Sequence, residues 1–150
     1  MAEGFKFVTD ARHLGFTGTR SGMTPEQQHT VRRLFEKEGS FTFHHGDCVG
    51  ADTEAHNLAC DADAYIVLHP PIKDDLRSFC ESDERHSPKS YFARNRDIVE
   101  ASHVLVATPF TAHETQGGTW YTINYARKRK AKGDPITIII VQPDGSEVRE

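Results

Sequence analysis

Short apolar runs alternate with longer amphipathic segments along almost the whole chain of 150 residues. The apolar runs predict five strands, at about residues 13–17, 41–44, 65–68, 103–107 and 135–141. Apolar residues at helical spacing, with cap residues and glycine stops, predict helices at about 24–38, 53–60, 91–101 and 119–132. Strands that alternate with helices form parallel sheets with right-handed crossovers. We therefore predict an α/β fold: a Rossmann-like parallel sheet of about five strands, with helices on both faces.

Two local signals refine this arrangement. Thr24, Pro25 and Gln27 form a cap, a first-turn proline and a capping-box partner, which is a strong signature of a helix start. Residues 70–88 are instead polar, charged and bounded by prolines, so we interpret them as a long excursion outside the core. Connections of that length are often functional lids or binding loops.

Polar, mostly glycine-containing segments follow the ends of the predicted strands. Ligands of parallel α/β sheets bind beyond the carboxyl ends of the strands. Glycine lets backbone N–H groups approach a phosphate, and a following helix start adds a favourable partial charge. A single glycine loop is more typical of a plain tight turn, but several at one sheet edge favour a phosphate site. The segments are 18–22, 46–52, 109–111 and 116–119.

Two arginines are candidates for contacts with an anion. Arg20 follows Gly18 directly, and its guanidinium can bind a phosphate through two hydrogen bonds. Arg94 shares a helix face with Ile98, which predicts that its head reaches from the core side toward the site. The alternative for Arg94 is a surface position, paired with an acidic residue of its own helix.

Composition and charge narrow the function classes. With 37% hydrophobic and 27% charged residues the chain has the composition of a globular protein. Its formal net charge of -4 argues against a nucleic-acid partner. Three cysteines without a CxxC pair indicate reduced thiols. No apolar run is long enough to span a membrane, and residues 1–10 lack a signal-peptide pattern, so we expect a cytoplasmic location.

Nine histidines raise the question of a metal site. His44, His45 and His56 lie near one loop, but His44 and His45 are adjacent on a strand and point to opposite faces. We therefore predict no metal site, and we predict no resident cofactor. A nucleophilic Cys48 beside His45 or His56 is a less favoured alternative. Aromatic residues near the loops, such as Trp120, are candidates for either base stacking or core packing.

Four motifs together resemble a known superfamily. They are Gly18-Thr19-Arg20, then Gly46-x-x-x-Gly50-x-Asp52-x-x-Ala55-His56, then Arg94-Asn95-Arg96 before an apolar strand, then Gly117-Gly118-Thr119. In order and spacing they resemble the SLOG superfamily, which groups the Rossmann-like core of DprA with the Lonely Guy phosphoribohydrolases. The likeness runs from about residue 14 to 141, and stand-alone YspA/YpsA-related SLOG proteins are most similar in size.

The resemblance implies a single SLOG-like nucleotide-binding domain over residues 1–150, with a nucleotide-like small molecule as its ligand and a homo-oligomeric assembly. Asp52 is then either an acceptor for a sugar hydroxyl or only the N-cap of its helix. The implied ligand-binding residues are Gly18, Thr19, Arg20, Gly46, Asp47, Asp52, Arg94, Asn95, Gly117, Gly118 and Thr119.

The resemblance leaves the activity open. The phosphoribohydrolases carry a glutamate in the helix after the glycine motif, whereas Asn124 stands about there in this chain. An amide is no general base. Hydrolysis of an N-glycosidic bond would therefore use Arg94 with Glu114, just before the glycines, as a substitute acid. The alternatives are a sensor or sequestering protein that holds a signalling nucleotide unchanged, and a DprA-like binder of single-stranded nucleic acid.

Overall fold

The protein is described by a computed structural model over residues 11–150, so the residues on which the signal-peptide prediction rests lie outside the described part. Within that part, none of the helices is both long and apolar enough to span a membrane. The strands are β1 (Arg12–Gly18), β2 (Phe41–His45), β3 (Tyr65–Leu68), β4 (Glu84–Arg85), β5 (Val104–Thr108), β6 (Thr137–Val141) and β7 (Glu147–Arg149). The helices are α1 (Pro25–Glu38), α2 (Ala51–Asp61), α3 (Tyr91–Glu100) and α4 (Gly118–Ala131).

The strands form one sheet in the order β4-β3-β2-β1-β5-β6-β7. Every pairing is parallel except β6 with β7, which is antiparallel. The predicted α/β, Rossmann-like fold is confirmed, but the sheet has seven strands and not five. The additional strands, β4 and β7, are short, mostly polar and exposed edge strands. They carry no apolar run, so hydrophobic patterning gives no signal for them.

Helices cover both faces because side chains of successive strand residues point to opposite sides. In β5, Val106 packs in the cluster that α1 and α2 cover, with Phe35 as one of its largest members. Leu105 packs on the other side, in the cluster that α3 and α4 cover with Trp120 and Ile123. The core therefore consists of two apolar layers, one on each face of the central strands.

Helix α1 is hydrogen-bonded to the carboxyl ends of β5 and β6. Thr24 and Gln27 form the predicted capping box, in which each side chain bonds the backbone N–H of the other residue. The buried Gln27 amide also donates to the carbonyl oxygens of Pro109 (2.9 Å) and Val141 (3.0 Å). Because these carbonyls follow β5 and end β6, α1 fixes the start of the loop that leads to α4.

Candidate functional site

A cavity of about 460 Å³ opens at the carboxyl ends of β1 and β5. The chain turns from β1 toward β2 on one side of the sheet, while β5 and β6 lie on the other, so this is the topological switch point. The volume lies within the range of small-molecule sites. Ten of the eleven predicted ligand-binding residues line it: Gly18, Thr19, Arg20, Gly46, Asp52, Arg94, Asn95, Gly117, Gly118 and Thr119.

The N-terminus of α4 forms one part of the cavity wall with unused backbone donors. Gly117 is its N-cap, at a φ of 143°, and no side chain caps the helix. Its first turn also contains no acidic residue. The first N–H groups of a helix have no partner within the helix and carry a partial positive charge. This wall therefore attracts an anion.

Arg20 adds a full positive charge to the same cavity. Its guanidinium carbon lies 5.0 Å from the centroid of the Tyr91 ring, which also lines the cavity. Within residues 11–150 the Arg20 side chain makes no ion pair and no hydrogen bond. An arginine that has no carboxylate partner keeps its donors available for a phosphate.

Arg94 also lines the cavity, but its donors are committed to the protein. The side chain is buried, with 6% of the residue surface exposed. One terminal nitrogen donates to the carbonyl oxygens of Gly46 (2.5 Å) and His69 (3.1 Å). Nε donates to Oδ1 of Asn95 (2.5 Å), and the other terminal nitrogen donates to Sγ of Cys48 (3.3 Å). Arg94 thus ties α3 to the ends of β2 and β3.

These contacts decide between the two interpretations of Arg94. It does not pair with the acids of its own helix, since Asp97 binds Lys89 and Glu100 lies near Arg129. A guanidinium has five N–H donors, and Arg94 uses four of them on protein acceptors. At most one remains for a ligand, so Arg94 chiefly shapes the cavity.

Asp52 supplies the one carboxyl among the residues that line the cavity. It is not an N-cap, because Gly50 holds that position in α2. Its Oδ2 accepts a hydrogen bond from the backbone N–H of Cys48 (3.1 Å). Burial raises the pKa of Asp52 from 3.8 to about 6, and the positive charge of Arg94 opposes part of that shift. The carboxyl is thus positioned to titrate near neutral pH.

Asp47 is the predicted ligand-binding residue that does not line the cavity. Its buried carboxylate accepts hydrogen bonds from Nε of Arg77 (2.7 Å) and the N–H of Cys80 (2.9 Å). Its carbonyl oxygen accepts a third, from the N–H of Ser78 (2.8 Å). Asp47 therefore fastens the excursion after β3 to the loop after β2, and it has no carboxylate oxygen directed to a ligand in this arrangement.

Glu114, the predicted substitute acid, is likewise outside the cavity wall. Its side chain is 59% exposed and lies 3.7 Å from the Arg127 guanidinium. Its carboxylate accepts a hydrogen bond from the Asn124 amide (3.0 Å). These contacts hold Glu114 against the outer side of α4, so the structure does not bring it together with Arg94.

Cys48 lines the cavity without the partners that the nucleophile alternative requires. Its sulfur accepts a hydrogen bond from Arg94. Burial raises the pKa of the Cys48 thiol above its ordinary value. His45 and His56 bond to each other and not to Cys48. A neutral, buried thiol is a poor nucleophile, so Cys48 contributes shape and an acceptor to the wall.

The two adjacent histidines of β2 do point to opposite faces of the sheet. His44 lies between His13 and His69, with ring nitrogens 2.8 Å and 2.9 Å apart. His45 contacts His56 on the other face, at 3.0 Å. Burial lowers the pKa of His44 and that of His69 to about 3. The buried histidines are therefore neutral hydrogen-bonding residues at neutral pH.

His45, His56 and Cys80 come close enough to share a metal ion. The hydrogen bonding of His45 opposes this use. The N–H of Asp47 donates to Nδ1 of His45 (3.0 Å), so the proton of the neutral ring sits on Nε2, the atom that faces His56. A protonated nitrogen has no lone pair for a metal. His45 and His56 are therefore a hydrogen-bonded pair in which the tautomer of His45 is fixed.

No protein-family model matches this chain, and no curated protein matches it. Solved structures do match. The molybdenum cofactor binding protein from Rippkaea orientalis is 20% identical at a TM-score of 0.65, over 87% of this chain and 77% of that one. The molybdenum cofactor carrier protein from Chlamydomonas reinhardtii is 19% identical at 0.61, over 87% and 76%. DNA processing protein A from Helicobacter pylori is 20% identical at 0.59, over 89% and 67%.

This chain has the same fold as these structures. The resemblance that the motifs indicated is thereby confirmed at the level of the fold. The two groups of structures differ in what their names say they bind, a molybdenum cofactor in one and single-stranded DNA in the other. The narrower likeness to YspA/YpsA-related proteins stays a prediction.

Proposed function

We propose that this protein binds a nucleotide-like small molecule and holds its phosphate between Arg20 and the N-terminus of α4. The observation that carries the proposal is the presence of two positive groups that line one cavity: the Arg20 guanidinium, which has no ion pair or hydrogen bond within residues 11–150, and a helix start without a side-chain cap. The names of the cofactor-binding structures support a small ligand in this fold.

The proposed role is to hold the ligand, as a sensor, carrier or sequestering protein would. Hydrolysis of an N-glycosidic bond is the second candidate. It is less well supported because Glu114 is hydrogen-bonded outside the cavity and Asp52 already accepts the N–H of Cys48. Asp52 is the carboxyl to replace first if a free base is released from a bound nucleotide.

A DprA-like role on single-stranded nucleic acid is the third candidate, which the structural match to DNA processing protein A brings in. The basic run at residues 127–130 of α4 gives it little support. Arg127 pairs with Glu150 at 2.7 Å, and Arg129 pairs with Asp134 at 2.5 Å. With these charges paired and a net charge of -4, we expect no strong attraction to a phosphate backbone.

By resemblance we also propose that the protein is a homo-oligomer and that it is located in the cytoplasm. Light scattering tests the oligomeric state, and cell fractionation tests the location.

Isothermal titration calorimetry with adenosine 5′-monophosphate tests the proposed function. We expect R20A to weaken binding about tenfold or more, since a charge-assisted hydrogen bond contributes roughly 1.5–3 kcal/mol. R32A is the matched control, because Arg32 is an exposed arginine outside the cavity. Equal affinity for the wild-type protein and R20A, or tighter binding of oligo(dT) than of the mononucleotide, would contradict the proposal. Chromatography of the same mixtures shows whether free adenine forms.

A further inference from the structure

Two large aromatic side chains at the cavity are unusually exposed. Phe92 is 53% exposed and Phe110 is 71% exposed, and both line the cavity. We refer to these two residues as the aromatic rim. Single exposed apolar residues are common on protein surfaces, but two phenyl rings at one ligand cavity place apolar area where a bound molecule would cover it.

Phe92 is held in place by its neighbours. It is the second residue of α3, and its ring centroid lies 4.4 Å from that of Tyr121 in α4. The Tyr121 hydroxyl accepts a hydrogen bond from Arg96 (2.9 Å), which fixes the supporting ring in turn. Phe92 therefore presents a braced ring and not a freely rotating one.

Phe110 combines an anchored backbone with an uncovered ring. It follows Pro109, whose carbonyl oxygen accepts a hydrogen bond from the buried amide of Gln27 (2.9 Å). Within residues 11–150 no other aromatic ring stacks on Phe110. The hydrogen bond thus anchors this residue at the cavity, while its ring is largely exposed and has no aromatic partner in the described part of the chain.

A third exposed phenylalanine, Phe79, differs from the aromatic rim because another side chain covers its ring. Phe79 is 57% exposed, but the Arg77 guanidinium lies over its ring, 4.4 Å from the centroid. Phe79 belongs to the excursion and does not line the cavity. Its exposure is therefore partly compensated by a cation–π contact, and Phe110 has no such contact among the described residues.

We propose that the aromatic rim stacks on the planar heteroaromatic ring of the ligand, so that the site selects a phosphorylated heterocycle over a phosphorylated sugar. The inference rests on the proposed function, because it places the ring of the same molecule whose phosphate Arg20 and α4 hold. Phosphate contacts alone carry no information about the rest of a ligand. Stacking on aromatic side chains does, since every purine, pyrimidine or pterin ring has a planar π face, which a sugar lacks.

The test compares two probes that share a phosphate, adenosine 5′-monophosphate and ribose 5-phosphate. In calorimetric titrations of the wild-type protein we expect the nucleotide to bind more tightly. F110A should lose at least about fivefold in affinity for the nucleotide, as alanine replacement of a base-stacking aromatic typically does, and keep its affinity for ribose 5-phosphate. F92A should behave likewise, and F79A, the matched control, should bind both probes as the wild-type protein does.

The outcomes separate this inference from the proposed function. Equal binding of both probes by the wild-type protein, or a loss in F110A that is absent or the same for both, overturns the stacking role and leaves phosphate binding intact. Binding of neither probe overturns both proposals. Since the Phe110 ring lies largely in solvent, F110A should fold normally, and its far-ultraviolet circular dichroism checks this.

Discussion

Two glycine loops meet at the cavity and differ in what their polar groups contact. The loop after β2, residues 46–52, is saturated by internal bonds: Arg94 takes the Gly46 carbonyl, Asp52 takes the Cys48 N–H, and Asp47 binds the excursion. The segment at the start of α4, residues 116–119, leaves the helix start without a side-chain cap. The first loop is held within the scaffold by these bonds, and the second is the part that we propose binds the ligand.

The same difference holds for the two cavity arginines. Arg94 is buried and gives four hydrogen bonds to the protein, whereas Arg20 rests on the Tyr91 ring and gives none within the described residues. Sequence motifs treat these arginines alike. In the structure Arg94 supports the site, whereas Arg20 keeps its donors unpaired among the described residues. Substitution of Arg94 should therefore lower stability, and substitution of Arg20 should lower ligand affinity.

The largest expected effect is the loss of Asp47 from the saturated loop. D47A leaves the largely buried Arg77 guanidinium without its carboxylate at 2.7 Å, and breaking a buried pair costs about 3–5 kcal/mol. We expect this decrease in the free energy of unfolding, measured with urea. D75A, an exposed acid of the same excursion, should stay near the wild-type value. Similar curves for both variants would mean that Asp47 does not hold the excursion.

Glycine substitutions compare the loops directly. At Gly50, with a φ of 88°, an added Cβ would lie 2.5 Å from the carbonyl carbon of Arg20. At Gly117, with a φ of 143°, nothing lies within 4 Å. We expect G50A to cost about 3 kcal/mol, from backbone strain and overpacking together, and G117A only about 1 kcal/mol from strain. Equal losses in urea unfolding would remove the distinction between the loops.

The next largest effect is expected from low pH, which should destabilise the fold around the loop after β2. His69 contributes the second carbonyl that holds Arg94. Burial lowers the pKa of His44, which faces His13, His69, His86 and His103, and that of His69, which faces His86, Arg94 and Lys89, from 6.5 to about 3. A histidine with a lowered folded-state pKa stabilises the fold above pH 6.5, and this contribution is lost as the pH falls toward 3.

Each such histidine costs up to about 1.4 kcal/mol per pH unit below its unfolded-state pKa. Between pH 6.5 and 5.5 we therefore expect a loss of roughly 2 kcal/mol in the free energy of unfolding from the pair. Urea titrations at the two pH values measure it. H69Q should flatten the pH dependence, and H29Q, which replaces an exposed histidine of α1, should not. A wild-type protein equally stable at both pH values would show that these histidines are not buried neutral groups.

The smallest effect on stability is expected for Arg20. R20A removes an exposed side chain without hydrogen bonds in the described part of the chain, so the free energy of unfolding should change by no more than about 0.5 kcal/mol. We expect R20A to lower the affinity for the ligand and to leave stability almost unchanged. A marked fall in the thermal midpoint of R20A would place Arg20 with Arg94 among the scaffold residues.

Much of the fold follows from the pattern of the chain, because the central strands are continuous apolar runs and Thr24 and Gln27 form the expected capping box. Local pattern also locates the glycine loops. It does not show which hydrogen-bond donors and acceptors are already used by the protein. The roles of Arg94, Asp47 and Glu114 depend on partners far away in sequence, such as His69, Arg77 and Arg127. Arg94→Ala should consequently reduce stability as well as affinity, which sequence reasoning did not anticipate.

Whether the cavity holds a phosphate compound can be decided by mass spectrometry of the small molecules that the purified protein releases on denaturation, with R20A and R32A purified in parallel. We expect one compound that carries both a phosphate and a heteroaromatic ring, released from the wild-type protein and R32A and depleted in R20A. A released compound without a phosphate, equal amounts from all three proteins, or no compound together with no binding of adenosine 5′-monophosphate would contradict the proposed site.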